Sequence, residues 1–157
     1  MFRGSTLLAL DGKGRVSVPA KYRERLSTQC GGHLMLTVDP TNGCLLLYPY
    51  PEFEILERQI NGLPGLNPLT QQLKLLIIGS AEEVEPDGAG RILIPPVLRK
   101  FAKLEKGVMF VGQGNKFAIW SEEAWQARLD AAARLPDQIS EAAANGTLPE
   151  ELKGFTL

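Results

Sequence analysis

Apolar positions in this chain gather into short runs broken by glycine and proline, a pattern of brief strands and helices rather than long amphipathic stripes. Ser5 to Leu10 reads as a buried strand and Arg15 to Val18 as its return, with a glycine-rich turn between them. After Pro19, Tyr22 and Leu26 lie four apart and predict a short helix over 19–26. Leu34 to Val38 and Cys44 to Tyr48 are the next two strands, joined through Asp39-Pro40-Thr41-Asn42-Gly43. Pro51 then opens a helix with Phe53, Leu56, Ile60 and Leu63 on one face. Asn67-Pro68 supplies an N-cap and a first-turn residue for another helix, carrying Leu69, Leu73, Leu76 and Ile77.

The order then begins again. Ala81 to Glu85 and Ile92 to Ile94 are strands about a turn, and Pro95-Pro96 opens a helix with Val97, Leu98 and Phe101. Val108 to Val111 and Lys116 to Trp120 form a second hairpin. Ser121, followed by Glu122 and Glu123, suits the start of a helix whose buried face is Trp125 and Leu129. An alanine-rich helix reaches Ala144, and a tail follows Gly146. Trp120 and Tyr48 occupy equivalent places and are read as core aromatics.

A literal repeat accompanies this second pass. Asp11-Gly12-Lys13-Gly14-Arg15-Val16-Ser17-Val18-Pro19 recurs seventy-six residues later as Asp87-Gly88-Ala89-Gly90-Arg91-Ile92-Leu93-Ile94-Pro95, so one supersecondary unit is present twice. Two glycines flanking one variable residue permit positive φ in a tight turn, and Asp-Gly is a strong hairpin signal. The Asp carboxylate can take amides of its own turn, and an Arg four residues on can close it with a charge-assisted bond. Each proline opens a basic segment: Lys21, Arg23 and Arg25 in the first copy, Arg99, Lys100 and Lys103 in the second. The copies differ at the variable position, Lys13 against Ala89, so the first is the one suited to an anion.

This doubled motif resembles that of the MraZ family, bacterial transcriptional regulators with two tandem AbrB-like (SpoVT-AbrB) modules, whose gene heads the division and cell-wall cluster. The resemblance runs from Met1-Phe2-Arg3-Gly4 through both motifs to Trp120-Ser121. It implies an α+β fold in which two AbrB-like modules form a pseudo-symmetric swapped-hairpin β-barrel with flanking helices. The expected division is module 1 over 5–51, a helical connector over 52–79, module 2 over 80–123, and C-terminal helices and tail over 124–157. Asp11 and Arg15, and Asp87 and Arg91, match the family motif; Gly12, Gly14, Gly88 and Gly90 shape its turns. The resemblance further implies binding to short repeats in double-stranded promoter DNA by a ring of about eight or more subunits. It implies no cofactor, no membrane and no small-molecule substrate, in a cytoplasmic, nucleoid-associated protein.

Charge alters the picture locally. Formal net charge is −1, which argues against a uniformly basic nucleic-acid binder. Yet Arg3, Lys13, Arg15, Lys21, Arg23 and Arg25 face only Asp11 and Glu24 in the first 25 residues, while the segment from Ser121 onward is acidic. Those six cations are the candidate DNA contacts, since guanidinium and ammonium groups grip phosphates or read guanine edges. A ring-forming protein-interaction scaffold that uses the acidic helices is the competing reading.

Enzymatic chemistry finds little purchase. One histidine, His33, with Cys30 and Cys44, lacks a zinc-ligand spacing and the makings of a triad. Gly4-Ser5 and Gly79-Ser80 match the dipeptide that pyruvoyl enzymes cleave, a common pair of residues. The 157 residues are enough for two small cores, each of about 45 residues and near the limit of self-sufficiency, so the copies are expected to lean on each other.

Overall fold

A computed structural model describes residues 1–155. They fall into two units, Met1–Glu122 and the segment from Glu123 onward. The first contains β1 (Ser5–Ala9), β2 (Arg15–Ser17), α1 (Ala20–Cys30), β3 (Leu34–Asp39), β4 (Cys44–Pro49), α2 (Tyr50–Asn61) and α3 (Pro68–Gly79). It continues through β5 (Glu82–Val84), β6 (Arg91–Leu93), α4 (Pro96–Phe101), β7 (Gly107–Gly112) and β8 (Phe117–Ser121). Then follow α5 (Glu122–Ala132), α6 (Leu135–Ala144) and a 3₁₀ turn at Glu150–Leu152.

The motif strands do not fold back as local hairpins. β1 pairs antiparallel with β7, Ser5 opposite Val111, and β5 pairs with β3, Leu34 opposite Val84. β2 pairs with β6 in a separate ribbon, Val16 opposite Ile92. The larger sheet has the order β1-β7-β8-β4-β3-β5, which is palindromic once each strand is matched to its counterpart in the other copy. Each copy therefore lends its first strand to the other, and a pseudo-twofold axis passes between Val16 and Ile92. Val18 N–H donates to Gly90 O and Ile94 N–H to Gly14 O, both at 2.8 Å, so the crossing itself obeys the symmetry. This is the swapped arrangement that the family resemblance implied. A simple Asp-Gly hairpin gives way to it: β1 takes a five-residue ladder on β7, while β2 and β5 take three-residue ladders on β6 and β3.

The swap also replaces two small cores with one. Val16, Val18, Ile92 and Ile94 of the ribbon segment share a cluster with Leu36, Leu45, Leu47, Phe110, Phe117 and Ile119 of the sheet. Tyr22 and Leu26 of α1 and Leu98 of α4 join the same cluster. Ribbon and sheet enclose this core while β1 and β5 remain sheet edges. A smaller group, Met35, Tyr48 and Phe53, fixes α2 to the sheet, and Trp120 is buried as well, so Tyr48 and Trp120 are core aromatics. Burial raises the Tyr48 hydroxyl to about 12, with the Asp39 carboxylate adding to the effect.

Several local expectations are corrected. β1 alternates between exposed and half-buried residues, with Leu7 exposed, because it is an edge strand and not a buried one. α1 runs to Cys30, beyond the last apolar residue Leu26, because it ends only where Gly31 takes a left-handed φ of 63°. Asn67 caps α3 as expected, its Oδ1 accepting from Leu69 N–H at 2.8 Å. Leu63, Leu69 and Val97 are exposed, however, while α3 is held by Leu76 of the expected stripe, packed against the main core, and by the buried Thr37, whose Oγ1 donates to Ile77 O at 2.6 Å. Within α5 Leu129 is exposed and Trp125 only half-buried, so the expected buried face is formed in part.

Candidate functional site

Each repeated Asp is a local staple. Asp11 Oδ1 accepts the backbone N–H groups of Lys13 and Arg15, both at 2.9 Å, and Oδ2 accepts Arg15 Nε at 2.8 Å. Asp87 does the same for Ala89, Arg91 and Arg91 Nε at 2.9, 3.0 and 3.1 Å. Only the second glycine of each motif needs its special backbone freedom, Gly14 at φ 84° and Gly90 at φ 77°. Gly12 and Gly88 stand where a Cβ would meet nothing, so turn geometry does not demand glycine there.

These bonds hold both carboxyl groups below the ordinary aspartate value. The Arg15 backbone N–H is the largest favourable cause for Asp11 and the Arg91 N–H for Asp87, each opposed by desolvation and reinforced by the guanidinium and the second amide. A carboxyl whose folded value is depressed stabilises the fold above its unfolded value and loses that contribution as pH falls through the folded one. Both staples should thus hold through the ordinary aspartate range and open only below it. Amide shifts of Lys13 and Ala89 followed through an acid titration check this, with both sets expected to move below the ordinary aspartate range.

Strand alternation sets the direction of the two arginines. Val16 and Ile92 enter the core, so Arg15 and Ser17 of β2 and Arg91 and Leu93 of β6 stand on the opposite, outward face, Arg15 across from Leu93 and Ser17 across from Arg91. Lys13 is exposed at the tip of the first turn. One ribbon therefore shows two half-exposed guanidinium groups related by the pseudo-twofold, each steadied through Nε.

The remaining candidate cations separate into two places. Arg25 Nη1 donates to Met1 O at 2.7 Å and the Arg25 guanidinium carbon lies 5.4 Å from the Phe2 ring centroid, while Lys21 Nζ lies 4.9 Å from that of Tyr22. Tyr22 hydroxyl donates to the Arg3 carbonyl, so Arg3, Lys21 and Arg25 meet where the N-terminal segment docks on α1. Arg23 leaves this group: its Nε donates to Val18 O at 2.8 Å and its guanidinium lies against Gly90 in the second motif. Its counterpart, Arg99, lies against Gly14 in the first motif. Sequence reasoning left Arg99 out of the site, although the repeat register, an Arg four residues after each motif proline, was the signal that pairs it with Arg23.

Other reactive groups are spoken for. His33 stacks on Tyr50 with ring centroids 4.6 Å apart and lies 3.2 Å from Glu83 Oε2. Cys30 Sγ donates to Leu26 O, and the two cysteines are not bridged to each other. Among the described residues no group of three His, Cys, Asp or Glu side chains is placed to hold a metal ion, and no helix is long and apolar enough to cross a membrane.

With this geometry in place, comparison with known proteins is informative. A family model described as "MraZ protein, putative antitoxin-like" matches residues 1–75 and 77–147, one motif in each segment. The chain belongs to the MraZ family. Similar MraZ relatives include a protein of Nitrosospira multiformis, 48% identical, and one of Nitrosomonas europaea, 47% identical. A third, from Pseudomonas aeruginosa, is 45% identical. Each comparison covers all of both chains, and each relative is named "Transcriptional regulator MraZ". Membership in this MraZ family places the chain among transcription regulators.

Proposed function

We propose that this MraZ-family chain is a sequence-specific DNA-binding regulator of the division and cell-wall gene cluster, acting as a ring-shaped homo-oligomer on repeated short promoter elements. The observation that supports it is the outward face of the β2–β6 ribbon. A two-stranded ribbon fits the major groove of B-DNA, where an arginine can take guanine O6 and N7 together. Arg15 and Arg91 stand on that face with Nε held by the motif aspartates, which leaves their terminal nitrogens directed outward. Lys13 extends the first turn toward phosphates, and the Arg3, Lys21 and Arg25 group adds a further cationic contact. A handful of cations gives chiefly nonspecific, salt-sensitive binding, so specificity comes from several subunits engaging spaced repeats at once. Leu66, Leu69 and Leu75 are strongly exposed along and just before α3 and favour assembly of copies; DNA as the partner would make the particle cytoplasmic and nucleoid-associated.

The deciding experiment is a salt titration of binding to DNA from upstream of the chain's own gene, against a scrambled fragment of equal length. Preference for the native fragment, with affinity falling steeply as salt rises, is the expected result. Equal and weak binding to both overturns the reading and favours a ring-forming protein-interaction scaffold.

A further inference from the structure

The pseudo-twofold makes Arg23 and Arg99 geometric equivalents, yet their hydrogen bonding differs. Both guanidinium groups occupy the space where the second motif glycine lacks a side chain. A Cβ on Gly90 would approach Arg23 Nε to 2.4 Å, and one on Gly14 would approach the Arg99 guanidinium carbon to 2.6 Å. Arg23 Nε has an acceptor in Val18 O. Arg99 Nε is buried and has none, and among the described residues Arg99 makes no ion pair. Nε itself is closed off from outside, but Arg99 is only half-buried, so its terminal guanidinium nitrogens, without an ion-pair partner among the described residues, can take an oxygen acceptor from outside the chain.

Its setting indicates which acceptor. Arg99 comes from α4 of the second copy but lies on the first motif turn, the one with Lys13 at its tip and Arg15 at its base. Lys106 is next to it through backbone, its carbonyl accepting Leu10 N–H at 2.8 Å. The equivalent ground around the second turn has Ala89 in place of lysine, a committed Arg23, and Glu85 lining the same depression. We infer that Arg99 is a phosphate-binding residue that completes the first motif's DNA contact from the second module, so that the contact site is composite and the two ends of the pseudo-symmetric ribbon are unequal. Planar donors of an arginine suit a phosphodiester oxygen pair, and a guanidinium braced by a glycine turn loses little freedom on binding it.

The inference rests on the DNA-binding reading above, and the test separates the two. Binding of the native upstream fragment is measured across a salt series for the parent, Arg99→Gln and Lys153→Gln, a cation already paired with Glu150, with assembly checked by sedimentation. Loss of one phosphate contact should weaken Arg99→Gln several-fold on native and scrambled DNA alike and reduce the salt slope by about one, while Lys153→Gln keeps the parent slope. A parent that binds no DNA ends the functional reading itself. A parent that binds, with Arg99→Gln showing the same affinity and slope, overturns the role of Arg99 alone. Should Arg99→Gln fail to assemble, arginine modification by phenylglyoxal is mapped by mass spectrometry on the parent with and without saturating DNA. Protection of Arg99 by DNA supports the composite site, and unchanged modification rejects it.

Discussion

Replacing Arg15 with alanine is expected to leave the protein folded and assembled while lowering its affinity for a single promoter repeat by about tenfold to hundredfold, the range for losing one good arginine contact to a base. The fold should tolerate the change because Asp11 Oδ1 still accepts the Lys13 and Arg15 backbone amides after the guanidinium is gone. The lost ion pair is partly exposed and of a kind that adds little stability. On a fragment with several repeats the deficit should multiply, since on the proposed ring each subunit loses the same contact. Arg91→Ala removes an identical staple from the other end of the ribbon, but without a lysine at the turn tip its loss should be at least several-fold smaller. Electrophoretic mobility on one-repeat and multi-repeat fragments, at one salt concentration, measures all four cases. Equal losses for Arg15→Ala and Arg91→Ala would show that the ribbon engages DNA symmetrically and that Lys13 plays no part.

Phe117→Ala should have the largest effect on stability, about 3–5 kcal/mol, as expected for emptying a fully buried aromatic site. Phe117 is wholly buried and packs against Phe2, Tyr22 and Phe110 at centroid distances of 4.3, 4.9 and 4.7 Å. Those partners come from the N-terminal segment, α1 and β7, hence from both copies of the repeat. Domain stabilities are about 5–15 kcal/mol, so the variant should lose a large share of its margin. Because the core is shared, urea should unfold the first unit in one transition, at a lower midpoint but with an unchanged slope. Two resolved transitions, with the first module persisting, would contradict the single core.

How much of this could be read in the sequence depends on how local each feature is. The doubled motif, its Asp-to-Arg staple and the Asn67 cap were legible because their partners lie within four residues. The β3–β4 and β7–β8 hairpins were legible too, but the pairing of the motif strands was not, because Asp-Gly turn chemistry is satisfied equally by a local hairpin and by a crossing to the other copy. Only the family resemblance indicated the swap. Periodicity named Phe53, Ile60 and Leu98 as core correctly and misplaced Leu69 and Leu129, since an apolar face in sequence does not say whether its own chain covers it. In the candidate site, clustering by sequence gathered Arg23 with its neighbours, whereas the fold sends it to Gly90. The same proximity rule hid Arg99, whose place beside Gly14 exists only after the modules exchange strands.

The exchange also shapes how the chain is made. β1 leaves the ribosome early, but Ser5 has no partner until Val111 has been synthesised. At bacterial or eukaryotic elongation rates the strand waits roughly 5 to 20 seconds, during which the first module has neither its ladder nor a closed core. Folding is therefore postponed to the end of translation instead of advancing module by module along the nascent chain. Slow codons between β5 and β7 would prolong the time β1 spends without its β7 partner, and the yield of native protein should depend on the speed with which that interval is translated.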